Sequence, residues 1–293
     1  LGSPLGSGKA GPAEGKTRMA MNSVNTNMGA MIALQSLNRT NEELATTQKR
    51  ISTGSRVADA KDDGAAFAVA ERVRSEVAAT RSANEQLGGV KGLVNVASKA
   101  LENVSTTLTS LREIIVKLAD GTITSEQRTQ YQGQAKELSL NIQGFIQDAS
   151  YNGTNVLDTS VVQKVVRNGT GDLYSFAAYK ALTSIYNEIS GANAYTTGDA
   201  KSAMTTTGAF GKAMTRTLTQ LNNFGNYARY IDNQIGFNKQ KMDAQESGLG
   251  ALIDADLAKE SARLQALQIR QQLGTQSLSI ANQAPQALLS LFR

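Results

Sequence analysis

The sequence predicts a mainly α fold, an elongated antiparallel helical bundle or coiled-coil rod with terminal coiled-coil helices and a small mixed strand and helix tip. Three observations lead there. Apolar residues alternate at spacings of four and three over three long stretches, the seam of helices that bury a stripe against one another. Of three prolines, two stand in the first eighteen residues and only Pro285 beyond them, so little interrupts long helices. Both ends repeat the stripe with more polar interruptions, as partners of each other or of another chain would.

The first stretch, Leu1 to Arg18, is Gly-rich and aperiodic. It reads as an appended leader outside the fold, which places the native start at Met19 or Met21. Near the start, Ala30, Leu37, Leu44 and Ile51 recur every seven residues, with companions Leu34, Asn41 and Gln48. A helix of roughly 55 residues, about 80 Å long, is predicted from Asp63 to Ala119. Its seam is Val90, Val94, Ala97, Leu101, Val104, Leu108, Leu111, Ile115 and Leu118, extended backward through Leu87, Ala83, Thr80, Glu76, Val73, Val69 and Ala66. Asp62-Asp63-Gly64 starts it and Asp120-Gly121 stops it.

A second helix starts at Ser125 and follows Tyr131, Ala135, Leu138, Ile142, Phe145 and Ala149, ending in the turn Tyr151-Asn152-Gly153. A third keeps its seam from Phe210 to Leu252 through Leu221, Phe224, Ile231, Ile235 and Asn238. Its separation from the first by a return predicts antiparallel packing. Between them, Val161-Val162 and Val165-Val166 suggest a short strand and Arg167 to Asp172 a loop or hairpin turn. Tyr179, Leu182, Ile185, Tyr186 and Ile189 suggest one short helix, and Ser190 to Gly208 reads as loop. The last stripe runs Ile253, Leu257, Glu260, Leu264, Leu267, Gln271, Gly274, Leu278, Ala281, Pro285, Leu288 and Phe292. The expected organisation is a leader (1–18), a terminal polymerisation region (19–55 with 254–293), a helical rod (56–159 with 206–253) and a surface-exposed tip (160–205).

Composition narrows the function. The formal net charge is +5, of which Lys9, Lys16 and Arg18 against Glu14 contribute +2 within the leader. The balance of about +3 and the lack of basic runs give no footprint for nucleic acid. The chain has no Cys, His or Trp, which removes thiolate chemistry, the usual general base and the commonest metal ligands. No run of eighteen apolar residues suggests a membrane span. Asp254, Asp256 and Glu260 cluster carboxylates; cation binding is conceivable, but capping and charging the start of the last helix accounts for them. No phosphate loop or paired acid–base group stands out, so the chain is expected not to be an enzyme and to need no cofactor or metal.

Particular residues then resemble a known family. Asn25-Thr26-Asn27 opens the first helix. Arg50-Ile51-Ser52-Thr53-Gly54, Ala60-Lys61-Asp62-Asp63-Gly64-Ala65, the LTSLREIIV of Leu108 to Val116, Tyr151-Asn152-Gly153 before Val156-Leu157, and the ending QQLGTQSLSIANQAPQALLSLFR follow in order. The chain resembles bacterial flagellin over about residues 21–157 and 210–293. The hook–filament junction protein shares the terminal architecture, but the LSLFR ending favours flagellin.

The resemblance implies a filament subunit that polymerises with copies of itself and serves motility. Leu34, Leu37, Leu44, Ile51, Leu257, Leu264, Leu267, Leu278, Leu288 and Phe292 would carry polymerisation. Val90, Val94, Leu101, Leu108, Leu111, Ile115, Leu221, Phe224, Ile231 and Ile235 would form the rod core. It also implies an extracellular place on the flagellum, export through the flagellar type III channel without a cleaved signal, and an export chaperone, cap and hook-junction proteins as partners. Many flagellins are read by a Toll-like receptor; the contacting positions fall on Ser110, Ile114 and Gln134, of which only the apolar one is kept in kind. A different class of function is open at the tip. There Lys164, Arg167, Lys180 and Lys201 with Tyr174, Tyr179, Tyr186 and Tyr195 would suit an acidic surface polysaccharide.

Overall fold

The computed structural model describes residues 27–291, without the side chains of Asn193 and of residues 284–291. The leader, Met19 and Met21 lie outside the described residues, as does Phe292. The chain forms two compact units, one combining residues up to Ala68 with those from Leu252 onward, the other running from Val69 to Ala251.

The larger unit is built on α2 (Gly64–Leu118), α3 (Ser125–Gln147) and α6 (Ala209–Ile253). Lys91 of α2 pairs with Asp232 of α6, and Glu76 with Lys241. As α2 ascends, its partners on α6 descend, so the two helices are antiparallel. Their seams share one core: Val94, Leu101, Leu108, Leu111, Ile115, Phe224 and Ile231 are fully buried, with Val90, Leu221 and Ile235 half-buried against them.

The register departs from the sequence reading at two places. Val69 and Glu76 do not continue the α2 seam; Ala70 and Val77 are buried instead. On α3, Phe145 is exposed and Ile146 buried. Both slips follow from winding: a straight helix turns every 3.6 residues, so a strict seven-residue seam drifts by about 20° per heptad.

Local chemistry sets the helix ends. Thr124 caps α3 in a reciprocal box with Gln127. Arg128 donates to the carbonyls of Leu118 and Asp120 at 2.9 and 3.1 Å, meeting acceptors that the end of α2 leaves open. Asn152 and Gly153 both have positive φ, between Tyr151 and Thr154, which exchange two backbone hydrogen bonds, the primed turn that Asn-Gly favours. The Tyr151 ring lies so close to α2 that a Cβ at Gly92 would stand 2.7 Å from its Cζ.

The segment between α3 and α6 is more ordered than its sequence suggested. β1 (Gln163–Val166) pairs antiparallel with β2 (Leu173–Phe176). Val161 and Val162 lie before the strand and are exposed. A π-helical turn, Leu182–Tyr186, runs into α4 (Asn187–Ile189), its Ser184 carbonyl held by Arg216 Nη1 at 2.6 Å. The stretch read as loop contains a 3-10 turn, Ala192–Ala194, and α5 (Thr197–Ala203). Thr196 and Asp199 form a capping box for α5, a start signal whose spacing stands in the sequence.

Tyr174 of β2 stacks on Tyr230 of α6 at 3.9 Å between ring centroids, and Phe176 packs on Tyr227. Buried Asn238 of α6 donates to the Arg167 carbonyl at 2.8 Å. The hairpin therefore folds back on the helices of its own unit.

Candidate assembly surface

The smaller unit is built from the two ends of the chain. α1 (Met28–Thr53) packs along α7 (Leu257–Leu291). Asn27 caps α1, its side chain accepting from the Ala30 amide. Gly54, left-handed at φ 69°, ends it, a conformation glycine adopts without a Cβ penalty. The chain then crosses its other end. Ser55 bridges Asp254, the Arg56 amide donates to the Ile253 carbonyl at 2.6 Å, and the Ala255 amide to that of Gly54 at 2.9 Å. Asp256 caps α7 through the amides of Ala258 and Lys259. Capping and pairing thus account for the carboxylates around Asp254. Among the described residues no group of acids, His or Cys could hold a metal ion.

A charged clamp fixes the turn after this crossing. Lys49 donates to Asp59 at 2.7 Å and to Asp62 at 2.8 Å. The ammonium, helped by the Ala58 amide, holds the Asp62 carboxyl at about 2, below its ordinary 3.8.

Along α1 the less exposed positions, apart from the ion-paired Glu43, Lys49 and Arg50, are Ala30, Ala33, Leu37, Thr40, Leu44, Thr47 and Ile51. Along α7 they are Glu260, Leu264, Leu267, Gln271, Gly274, Leu278 and Ala281. Both rows alternate three and four, the seam of an antiparallel pair. Arg50 Nη1 meets Glu260 at 3.1 Å, Gln271 donates to Asn41 at 2.8 Å, and Asn27 Nδ2 donates to the Ala281 carbonyl at 2.7 Å. Gly274 admits Leu37, whose Cδ1 would lie 3.2 Å from a Cβ there. From Glu260 to Ala281 the α7 row coincides with the positions read from the sequence, whereas Leu257, read as an earlier member, is exposed. That of α1 takes Ala33, Thr40 and Thr47 as companions, whereas Leu34, Asn41 and Gln48 are exposed.

This seam is thin. Leu267 is its one fully buried large side chain among the described residues of α1 and α7; Thr40, Thr47 and Glu260 are its buried polar members. The Arg50–Glu260 pair leaves Arg50 Nε and Glu260 Oε2 buried without a hydrogen bond among the described residues. A half-satisfied buried ion pair adds little net stability.

The outer faces carry what the inner seam lacks. On α7, Ile269, Leu273 and Ile280 are 58, 61 and 61 % exposed. Each lies two residues beyond a seam member, about 200° around the helix. With Ala262, Ala266 and Gln276 they form a second heptad row on the far side of α7. Met28, Met31 and Leu34 stand exposed on α1 outside its seam with α7, and exposed Ile32 lines a groove with Leu273 of α7. An apolar row with no partner among the described residues suits an interaction surface.

Of the positions assigned to polymerisation, Leu37, Leu44, Ile51, Leu264, Leu267 and Leu278 line the seam, whereas Leu34 and Leu257 face outward. The side chain of Leu288 and all of Phe292 lie outside the described residues. The outer row of α7 is hidden in the sequence by the seam that interleaves with it; its signal is Ile269, Leu273 and Ile280 at spacings of four and seven.

The other candidates are placed as follows. Ser110 and Gln134 are exposed, and Ile114, largely buried, floors a shallow groove with Gln130, Gln134 and Leu138. The basic and aromatic side chains of 160–205 are not brought into one surface. Lys164, Lys180 and Lys201 are exposed, but Tyr174, Tyr179, Tyr186 and Tyr195 pack against the core, and Arg167 lies 3.6 Å from Asp172.

The geometry defines a class, a helical subunit whose chain ends meet as a pair with apolar rows left over for another molecule. Residues 24–162 match the bacterial flagellin N-terminal helical region and 201–292 the bacterial flagellin C-terminal helical region. The chain belongs to the bacterial flagellin family. It is 35 % identical to flagellin FljK of Caulobacter vibrioides over 94 % of this chain and all of that one, and 34 % identical to a flagellin of Brucella melitensis over 93 % of this chain and all of that one. In fold it is similar to a flagellar hook-associated protein of Vibrio parahaemolyticus, with a TM-score of 0.51 over 66 % of this chain and all of that one at 14 % identity. Its role is that of an extracellular structural subunit that self-assembles into the flagellar filament for motility.

Proposed function

We propose that subunits join through the outer faces of the terminal helices, the Met28–Met31–Leu34 face of α1 in one copy packing on the Ile269–Leu273–Ile280 row of α7 in the next. The observation that carries this is the second heptad row on α7, since a helix with two opposed apolar rows needs two partners. The two faces differ, so the contact is heterologous, and a heterologous contact that does not close on itself generates an open helical polymer. The inner seam holds α1 to α7 within one subunit.

Leu273→Asp is expected to leave the circular dichroism of the free subunit unchanged, because Leu273 is 61 % exposed there. Each contact in the polymer would lose about 1.5–3 kcal/mol of leucine burial and gain a carboxylate to desolvate. Electron microscopy should show no filaments at concentrations where the unsubstituted protein forms them; filaments of ordinary length and yield would sink the proposal.

The same reading covers the route outward and the partners met there. A narrow type III channel suits a chain whose ends are held by so thin a seam, and an export chaperone, cap and hook-junction proteins are the partners that membership of the family suggests. Recognition by a Toll-like receptor is expected to be weak. Ser110 and Gln134 stand where an arginine and a glutamate would make charge-assisted hydrogen bonds, each contributing about 1.5–3 kcal/mol. A receptor reporter assay should give little signal, and a full-strength response would contradict this assignment.

A further inference from the structure

Met28, Met31 and Leu34 follow one another at intervals of three, a ridge of neighbouring side chains on one helix face. Two of the three members are thioethers, and both are open to solvent, at 43 and 60 % exposure. The other described methionines are placed differently: Met204 and Met214 pack against the core of the larger unit, and Met242 is half-buried on α6. Further along the outer face of α1, Gln35, Asn38, Arg39 and Glu42 replace apolar residues. The apolar ridge is therefore short, and beside Leu34 and the neighbouring Ile32 its surface rests on the two sulfur atoms.

We propose that Met28 and Met31 form an oxidation-sensitive element that shuts off self-association when peroxide converts their thioethers to sulfoxides. The inference rests on the reading of the outer face of α1 as a subunit contact. In the reaction a sulfur lone pair attacks one peroxide oxygen and the O–O bond breaks as the S–O bond forms. The second oxygen leaves as hydroxide and takes up the proton that the sulfur-bound oxygen sheds, giving water. Sulfur is oxidised by two electrons and peroxide is reduced by two.

The product is a flexible apolar side chain turned polar and chiral. In the free subunit the new oxygens point into water and disturb nothing. Against the Ile269–Leu273–Ile280 row they meet apolar side chains, with Gln276 the one donor in that row, and a buried acceptor without a hydrogen bond is costly. Fold and assembly are thereby separated: the same modification is silent in the monomer and disruptive in the contact. Sulfoxide reduction is enzymatic and reversible, so the element resets wherever a reductase meets the chain.

The test treats the full-length monomer with dilute hydrogen peroxide and maps the added oxygen by peptide mass spectrometry. Assembly is then measured by sedimentation, before and after incubation with methionine sulfoxide reductases. Met28 and Met31 should gain oxygen before Met204 and Met214, with an unchanged circular dichroism spectrum. The concentration needed for assembly should rise about tenfold or more, and reduction should restore it. The M28L/M31L chain, which keeps Met19 and Met21, should assemble like the untreated protein and ignore peroxide. Normal assembly of the oxidised chain would overturn the inference, as would loss of assembly on oxidation of M28L/M31L. Failure of the untreated chain to assemble would remove the contact itself and this inference with it. Assembly of both the untreated and the oxidised chain would remove the inference alone.

Discussion

Leu101→Asp is expected to abolish or strongly lower the cooperative thermal transition of the larger unit. Leu101 is fully buried in the cluster where α2 meets α3 and α6. Deleting a buried leucine costs about 2–5 kcal/mol through lost transfer energy and the cavity left behind. The aspartate must in addition be buried unpaired or protonated, which costs several kcal/mol more. A domain is stable by only about 5–15 kcal/mol. Even about 5 kcal/mol lowers the midpoint of a unit this size by roughly 10–20 °C. Val116→Asp, on the exposed side of the same helix, should leave the melt almost unchanged, because surface substitutions fall within about 0.5 kcal/mol. Circular dichroism melts of the two variants decide the matter: equal midpoints would mean that this seam is not the core.

The long helices were legible because their signal is repetition. From Val94 to Leu118 and from Phe210 to Asn238 large apolar residues recur often enough for the period to fix both the helix and its buried face. The α1 seam was harder, since its companions are Ala33, Thr40 and Thr47. Two closely approaching helices favour such small side chains, which carry little hydrophobic mark, whereas the larger Leu34 one residue on gives the stronger signal. β2 was unreadable for a different reason: Leu173 to Phe176 is too short for a period, and what orders it is the stacking of Tyr174 on Tyr230, 56 positions away. The same non-local packing withdraws the tip tyrosines from the surface on which sequence reasoning assembled them. α5 could have been found, since Thr196 and Asp199 stand at the capping-box spacing in a stretch whose Gly, Thr and Ala content otherwise says loop.

Removing both ends is expected to separate folding from assembly. The larger unit has its own core, with Leu101, Leu108, Ile115, Ile142, Phe224 and Ile231 fully buried. The unit made by the ends holds its pair by one fully buried large side chain among the described residues of α1 and α7, Leu267, with Thr40, Thr47 and Glu260 as the buried polar members. Isolated helices with so little seam are marginal in water. The ends are therefore expected to be loosely held in the free subunit and to gain order in the polymer, where burial of their outer rows offsets the entropy of ordering them. The most direct measurement is sedimentation beside circular dichroism of a chain covering about 55–253, next to the full-length protein. The account predicts a helical monomer with a cooperative melt that forms no polymer at any concentration where the full chain does. Filaments from the shortened chain, or a shortened chain that is unfolded, would contradict it.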